Sequence, residues 1–284
     1  MRFSRMNPLE FTVIIAAISF FAGVIGSLVG VGGGIIVVPA LTLLMGVDIR
    51  NAIAASIVAV IATSCGAGAA YVRERITNMR LGMLMEITTV LGALSGAYLT
   101  LWISGKWLFI LFGSVMAYTA WSMSRKKKQA GPGHDLPADP LADTLRLHSS
   151  YYDKALGAEV PYRVSRTKLG LTVSYFAGVV SALLGIGGGV FKVPVMNLGM
   201  GLPIKVCTAT SNFMIGVTAA SSAAVYFMRG EVQPFVVAPV AIGVLLGAKT
   251  GAFLLGRLRN DIIRIAFVAV LAISALQMLW KGIR

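Results

Sequence analysis

Apolar residues gather into long blocks separated by short polar intervals, and the intervals recur in the same order in both halves of the chain. The first half divides into apolar elements at 11–28, 35–46, 51–72, 80–103 and 107–122. The second divides at 167–183, 190–201, 205–228, 233–256 and 261–281. Several blocks reach the roughly 18 residues that a membrane-spanning helix needs. The blocks 35–46 and 190–201 hold twelve residues each. At helical rise that is ~18 Å, against a hydrocarbon core of ~30 Å. Each predicts a short, tilted or re-entrant helix. If these short helices cross, each half has five crossings and the halves are inverted. If they do not, each half has four, the halves are parallel and both termini are cytoplasmic. Lys and Arg in the short loops are spread almost evenly in both cases, so both stay open.

Residues 22–39 read AGVIGSLVGVGGGIIVVP and residues 177–194 read AGVVSALLGIGGGVFKVP, with ten of eighteen positions identical at an offset of 155. The register persists: Ser56 maps to Ser211, Thr63 to Thr218, Tyr71 to Tyr226, Gly92 to Gly247 and Gly96 to Gly251. Duplication is the economical explanation. The expected fold is an all-α polytopic membrane protein of two homologous repeats. Each repeat has four to five helical elements and a Gly-rich break followed by a short helix. The expected divisions are 1–122 as first membrane repeat, 123–166 as hydrophilic linker and 167–284 as second membrane repeat. Matched Gly/Pro-interrupted segments in two halves mark the binding site of many secondary transporters.

Composition agrees. Hydrophobic residues make up 57% and charged residues 13%, where a soluble domain carries about 25% charged. Mean hydropathy is +0.81. The net charge of +14 does not imply nucleic acid, because most basic residues flank apolar blocks or lie between the halves. Nine Lys/Arg and five Asp/Glu fall between Ser122 and Gly170. The basic run Arg125–Lys128 places this linker in the cytoplasm by the positive-inside rule. Arg2 and Arg5 precede an apolar run with no cleavage-like site, so that run reads as a first helix rather than a signal peptide. Cys65 and Cys207 break the 155-residue correspondence and make no disulfide framework.

Candidate chemistry lies in three places. Gly32, Gly33 and Gly34, with Gly187, Gly188 and Gly189, free the backbone from helical geometry just before the short helices. Free N–H groups there suit an anion; close packing of small residues gives the same pattern. Lys192, Lys249 and Glu86 fall inside apolar blocks, where a charge is costly and marks a functional candidate. The lysines stand where the first half has Val37 and Leu94, which fits one anion held off-centre; snorkelling to the interface is the alternative. Glu86 reads as a proton-coupling acid, a lysine's ion-pair partner or an interfacial acid. Finally, Thr208, Ser211, Asn212, Thr218 and Ser222 share one helical face, matched by Ser56 and Thr63 in the first half. They can line a polar path or bond between helices. Both histidines, His134 and His148, lie in the linker, and no metal-ligand spacing or nucleophile–base pair is present. An enzyme, a metal and a cofactor are all unexpected.

With VGVGGGIIVVP at Val29–Pro39 and LGIGGGVFKVP at Leu184–Pro194, supported by Ala54–Ser56, Ala209–Ser211 and Gly247–Gly251, the chain resembles the sulfite exporter TauE/SafE family, also called the toluenesulfonate uptake permease family. The resemblance covers both apolar halves and leaves the linker outside, which is longer and more polar than expected for the family. It implies a multi-pass carrier of the bacterial inner membrane that moves small sulfur-containing anions such as sulfite or organosulfonates, with the glycine turns lining the path. An anion channel and a membrane scaffold working through the linker are the alternatives. Oligomeric state is not legible.

Overall fold

The computed structural model describes residues 7–100, 102–124, 138–153, 157–254 and 260–283. The first half runs α1 (Pro8–Val29), α2 (Gly34–Pro39), α3 (Ile49–Thr63), α4 (Ala69–Arg73), α5 (Met79–Leu99) and α6 (Gly105–Ser124). Between the halves stand α7 (Pro140–Thr144) and the strands β1 (Ser149–Asp153) and β2 (Ala158–Tyr162). The second half runs α8 (Thr167–Leu184), α9 (Gly189–Pro194), α10 (Ile204–Met228), α11 (Pro234–Leu254) and α12 (Asn260–Ile283). Boundaries keep the 155-residue offset: α9 follows α2, Ile204 follows Ile49, and α11 follows α5. Among the described residues five helices are long and apolar enough to cross a membrane. The chain is an all-α polytopic membrane protein.

Local chemistry sets the breaks. Helix α1 ends at Gly30, whose φ of 77° is left-handed and whose N–H bonds Gly26 O. Helix α8 ends the same way at Gly185, φ 68°, bonded to Ser181 O. A left-handed residue after the last turn is a common glycine role. The prolines Pro39 and Pro194 close α2 and α9, and π-helical turns follow at Ala40–Leu44 and Val195–Gly199. Proline supplies no N–H, and the ladder reopens one residue wider, with Met45 N on Ala40 O and Met200 N on Val195 O.

The helices pair across the halves. Along α1 and α11, Gly243 meets Ala16, Gly247 meets Phe20 and Gly251 meets Val24 and Ser27, so the two run parallel. Along α5 and α8, Gly92 meets Tyr175, Gly96 meets Val179 and Gly178 meets Thr89, again parallel. Small residues let the backbones approach, which is how membrane helices associate without a hydrophobic drive between them. Helix α3, continued by the π-helical turn Ser64–Gly68, crosses α10 antiparallel, with Gly216 on Ser64 and Gly68 on Asn212. Helices α6 and α12 are antiparallel as well, Gly113 meeting Leu279 and Gly282 meeting Ile110.

These pairings give the bundle two ends. At one end Phe11 stacks on Phe235 with ring centroids 5.6 Å apart, Arg229 bonds Ala97 O and Arg50 bonds Ile103 O. At the other, the described residues between the halves form a small folded cap. Strands β1 and β2 pair antiparallel, Ser149 opposite Tyr162 and Asp153 opposite Ala158. The segment expected only as a hydrophilic linker therefore carries a short helix and a strand pair among its described residues. Asn78 anchors it twice: Oδ1 accepts Leu81 N to cap α5, while Nδ2 donates to Leu147 O and the Tyr162 hydroxyl. Lys205 meets Asp153 at 2.7 Å, and Ser165 N bonds Met200 O.

Candidate functional site

The two glycine turns meet at the centre of the bundle. Gly30–Gly34 and Gly185–Gly189 are all buried. A methyl group on Gly34 would strike the Gly185 carbonyl oxygen, and one on Gly189 would strike that of Gly30. Each turn also receives a serine from the opposite half. Ser211 Oγ donates to Gly30 O at 2.7 Å, and Ser56 Oγ lies 3.0 Å from Gly185 O. The predicted glycines and serines thus share one junction. Gly33 N donates to Thr63 Oγ1 at 3.2 Å. Asn212 Nδ2 donates to Ser27 O and Thr208 O, while its Oδ1 is buried without a partner.

The halves differ one turn farther on. Lys192, on α9, is fully buried. Its Nζ donates to Thr218 Oγ1 at 3.1 Å and to Glu86 Oε2 at 3.4 Å. Thr218 in turn donates to Glu86 Oε1 at 2.6 Å. The carboxylate comes from α5 of the first half, and the lysine and hydroxyl come from α9 and α10 of the second. Glu86 is buried within the protein, its residue only 6% exposed, as the ion-pair partner of a lysine. Burying a lone lysine is costly, and the paired carboxylate and hydroxyl compensate it. At the 155-residue offset the first half offers Val37 and Thr63, and Glu86 itself maps to Ala241. Val37 lines a small apolar cleft with Ile15, Ile18, Ser19 and Leu41.

Lys249 is not brought to this cluster. It lies exposed on the outer stripe of α11 with Ile242, Leu246 and Phe253, which are 60%, 54% and 66% exposed. That stripe matches Met83, Ile87, Leu91 and Tyr98 on α5, which are exposed too. Thr218, part of the polar helix face, is the group that joins the two charges.

The cap closes over the same region. Tyr151, Tyr162, Leu147 and Val164 share an apolar cluster with Met85 and Val193, the chain neighbours of Glu86 and Lys192. Burial, then the hydrogen bond to Asp153, pushes the Tyr151 phenol up to about 12. Burial raises Tyr162 as well, so both enter the cluster as neutral rings.

Among the described residues no group of His, Cys, Asp and Glu could hold a metal ion. The arrangement presents one buried cation, a competing carboxylate and a ring of hydroxyls and backbone carbonyls between the two halves.

The chain is 28% identical over 280 residues to the probable membrane transporter protein YunE of Bacillus subtilis (strain 168), covering 95% of this chain and 98% of the relative. It is 23% identical over 268 residues to the probable membrane transporter protein YdhB of the same organism, covering 94% and 100%. No solved structure matches the chain. Residues 15–278 match the family described as Sulfite exporter TauE/SafE. With nearly its whole length inside that match, the chain belongs to the sulfite exporter TauE/SafE family of membrane transporters.

Proposed function

We propose that the protein is a secondary carrier of the bacterial inner membrane that exports small sulfur-containing anions such as sulfite or organosulfonates. The observation that carries this reading is Lys192: a fully buried cation where elements of both halves meet, one turn beyond the second glycine turn. Its ammonium would bind the anion's oxygens, with Thr218, Ser211, Asn212 and the glycine turns shaping the space around them. Hydroxyls and amides complement an oxyanion, and a single lysine supplies charge without a rigid fork.

In this reading the two halves are inverted repeats. Helix α3 runs antiparallel to its counterpart α10 and α6 runs antiparallel to α12, which is the relation expected if α2 and α9, with their π-helical turns, each cross. Inverted repeats meeting at a central site are a common basis of alternating access. The capped end, carrying the basic linker, would face the cytoplasm.

Counterflow in proteoliposomes tests the reading. Labelled sulfite, thiosulfate and methanesulfonate are exchanged against the unlabelled anion, with wild type beside Lys192→Met. A carrier shows counterflow that the substitution abolishes. Flux without counterflow means a channel, and no flux of any of the three overturns the sulfur-anion assignment.

A further inference from the structure

Glu86 and Thr218 occupy the donors that an arriving anion would need. Lys192 has three N–H donors; one is turned to Glu86 at 3.4 Å and one to Thr218 at 3.1 Å, while the Thr218 proton goes to Glu86 at 2.6 Å. The carboxylate thus stands on Lys192 and Thr218 as a two-oxygen anion would. The long Lys192–Glu86 distance makes that contact the weaker of the two carboxylate contacts.

The geometry points to Glu86 as a built-in stand-in for the substrate, displaced only when it takes up a proton, so that each anion is carried together with one proton. This rests on the carrier reading above and names its coupling ion. The argument is electrostatic. Lys192 with an ionised Glu86 is a neutral buried pair. Adding an anion beside an ionised carboxylate would set two like charges in a water-poor interior, where their repulsion is strong. A proton from solution on Glu86 makes it a neutral carboxylic acid, and Lys192 and Thr218 are then free to turn to the anion. When the anion leaves, the proton leaves with it and the pair re-forms.

Two further observations fit. Ser174 Oγ is buried with no partner. It lies one turn before Gly178 on the face of α8 that meets α5, and it maps to Ser19, which lines the small cleft with Val37. It is therefore placed to join an anion beside Lys192. The device is also single: the corresponding positions, Val37 in the first half and Ala241 in the second, cannot titrate, and Thr63 is held by Gly33 N. Among the described residues Lys192 on α9 is the one charged group set against Glu86. Thr218 faces it from α10 and uncharged Ser174 lies on α8. Cys207 and Tyr162 lie in the apolar cluster around Met85.

The test uses the full chain in proteoliposomes with a trapped pH dye and the potential clamped by potassium and valinomycin. Sulfite, thiosulfate and methanesulfonate serve as separate probes. In wild type an outward anion gradient should draw protons outward with it, and anion affinity should rise about tenfold for each pH unit lowered. Glu86→Gln mimics the protonated acid, so it should keep anion exchange while carrying one proton fewer per anion and losing the pH dependence. Wild-type counterflow with neither proton movement nor pH dependence overturns the proposal while leaving the carrier reading intact. A folded Glu86→Gln that still moves protons, or that carries no anion, overturns it too. Absence of counterflow in wild type overturns both. If Glu86→Gln fails to fold, the wild-type proton and pH measurements decide alone.

Discussion

Ser211 donates its hydroxyl proton to the carbonyl oxygen of Gly30 at 2.7 Å, across 181 residues of sequence. The reverse contact joins Ser56 to Gly185 at 3.0 Å, though Ser56 shares its one proton with Ile53 O. Removing either hydroxyl strands a buried carbonyl. Ser211→Ala should cost about 1–3 kcal/mol and Ser56→Ala somewhat less. Unfolding in detergent, with exposed Ser95→Ala as a near-neutral control, measures both.

Backbone proximity makes the glycine turns intolerant of a single methyl group. Gly34→Ala and Gly189→Ala each push a side chain into the opposite turn. Overpacking of this kind costs about 1–3 kcal/mol. Gly105→Ala meets nothing closer than Ile49 at 3.5 Å and should be tolerated. Yield of folded monodisperse protein and its melting temperature rank the three.

For the buried pair, stability and transport should separate. Breaking it from one side, by Lys192→Met or Glu86→Leu, leaves an uncompensated charge and should cost about 3–5 kcal/mol. Combining the two removes both charges and should restore much of that loss. The double variant should still carry no anion. Recovery of its melting temperature without recovery of counterflow is the expected result; recovery of both would mean Lys192 does not bind substrate.

Lys249→Ala should leave counterflow close to wild type, because the side chain stands on the outer stripe of α11 among exposed apolar residues. Its charge suits lipid headgroups, reached by snorkelling. A collapse of flux comparable to that of Lys192→Met would place Lys249 on the path after all.

At the cap, pH should act through Asp139. Burial works against its ionised form, yet bonds from the Thr167, Ala142 and Leu141 amides prevail and hold its carboxyl below the usual range. A carboxyl lowered on folding stabilises above its unfolded-state value and loses that contribution as pH falls through its folded one. Amide protection at 140–147 and at the start of α8, corrected for the intrinsic exchange rate at each pH, should therefore fall in acid. Asp139→Asn should flatten that dependence.

Much of the architecture was legible because membrane helices announce themselves by length and by what interrupts them. Gly30, Gly185, Pro39 and Pro194 mark breaks that the sequence shows openly, and every apolar block corresponds to a helical element within a few residues. What one chain's pattern does not reveal is which stripe of a wholly apolar helix faces inward. Lys192 and Lys249 both interrupt apolar blocks, yet one is buried and the other exposed, since hydropathy is high on every side of such a helix. Glu86 and Lys192 are 106 residues apart, so sequence could raise their pairing only as one option among three. The cap was not legible: Tyr151 and Asp153 are buried while Tyr152 between them is exposed, yet the run SSYYD carries no apolar–polar alternation that would announce a strand.

The cross-half pairing of α1 with α11 and of α5 with α8 bears on how the protein is made. A nascent chain inserts α1 long before α11 exists, so the small-residue face of α1 must wait in lipid, or against another protein, until nearly the whole chain has entered the membrane. The two halves are therefore not separate folding units joined by a tether. Neither half contains the partners of its own glycine-lined helices, and the fold closes only once synthesis reaches α11 and α12.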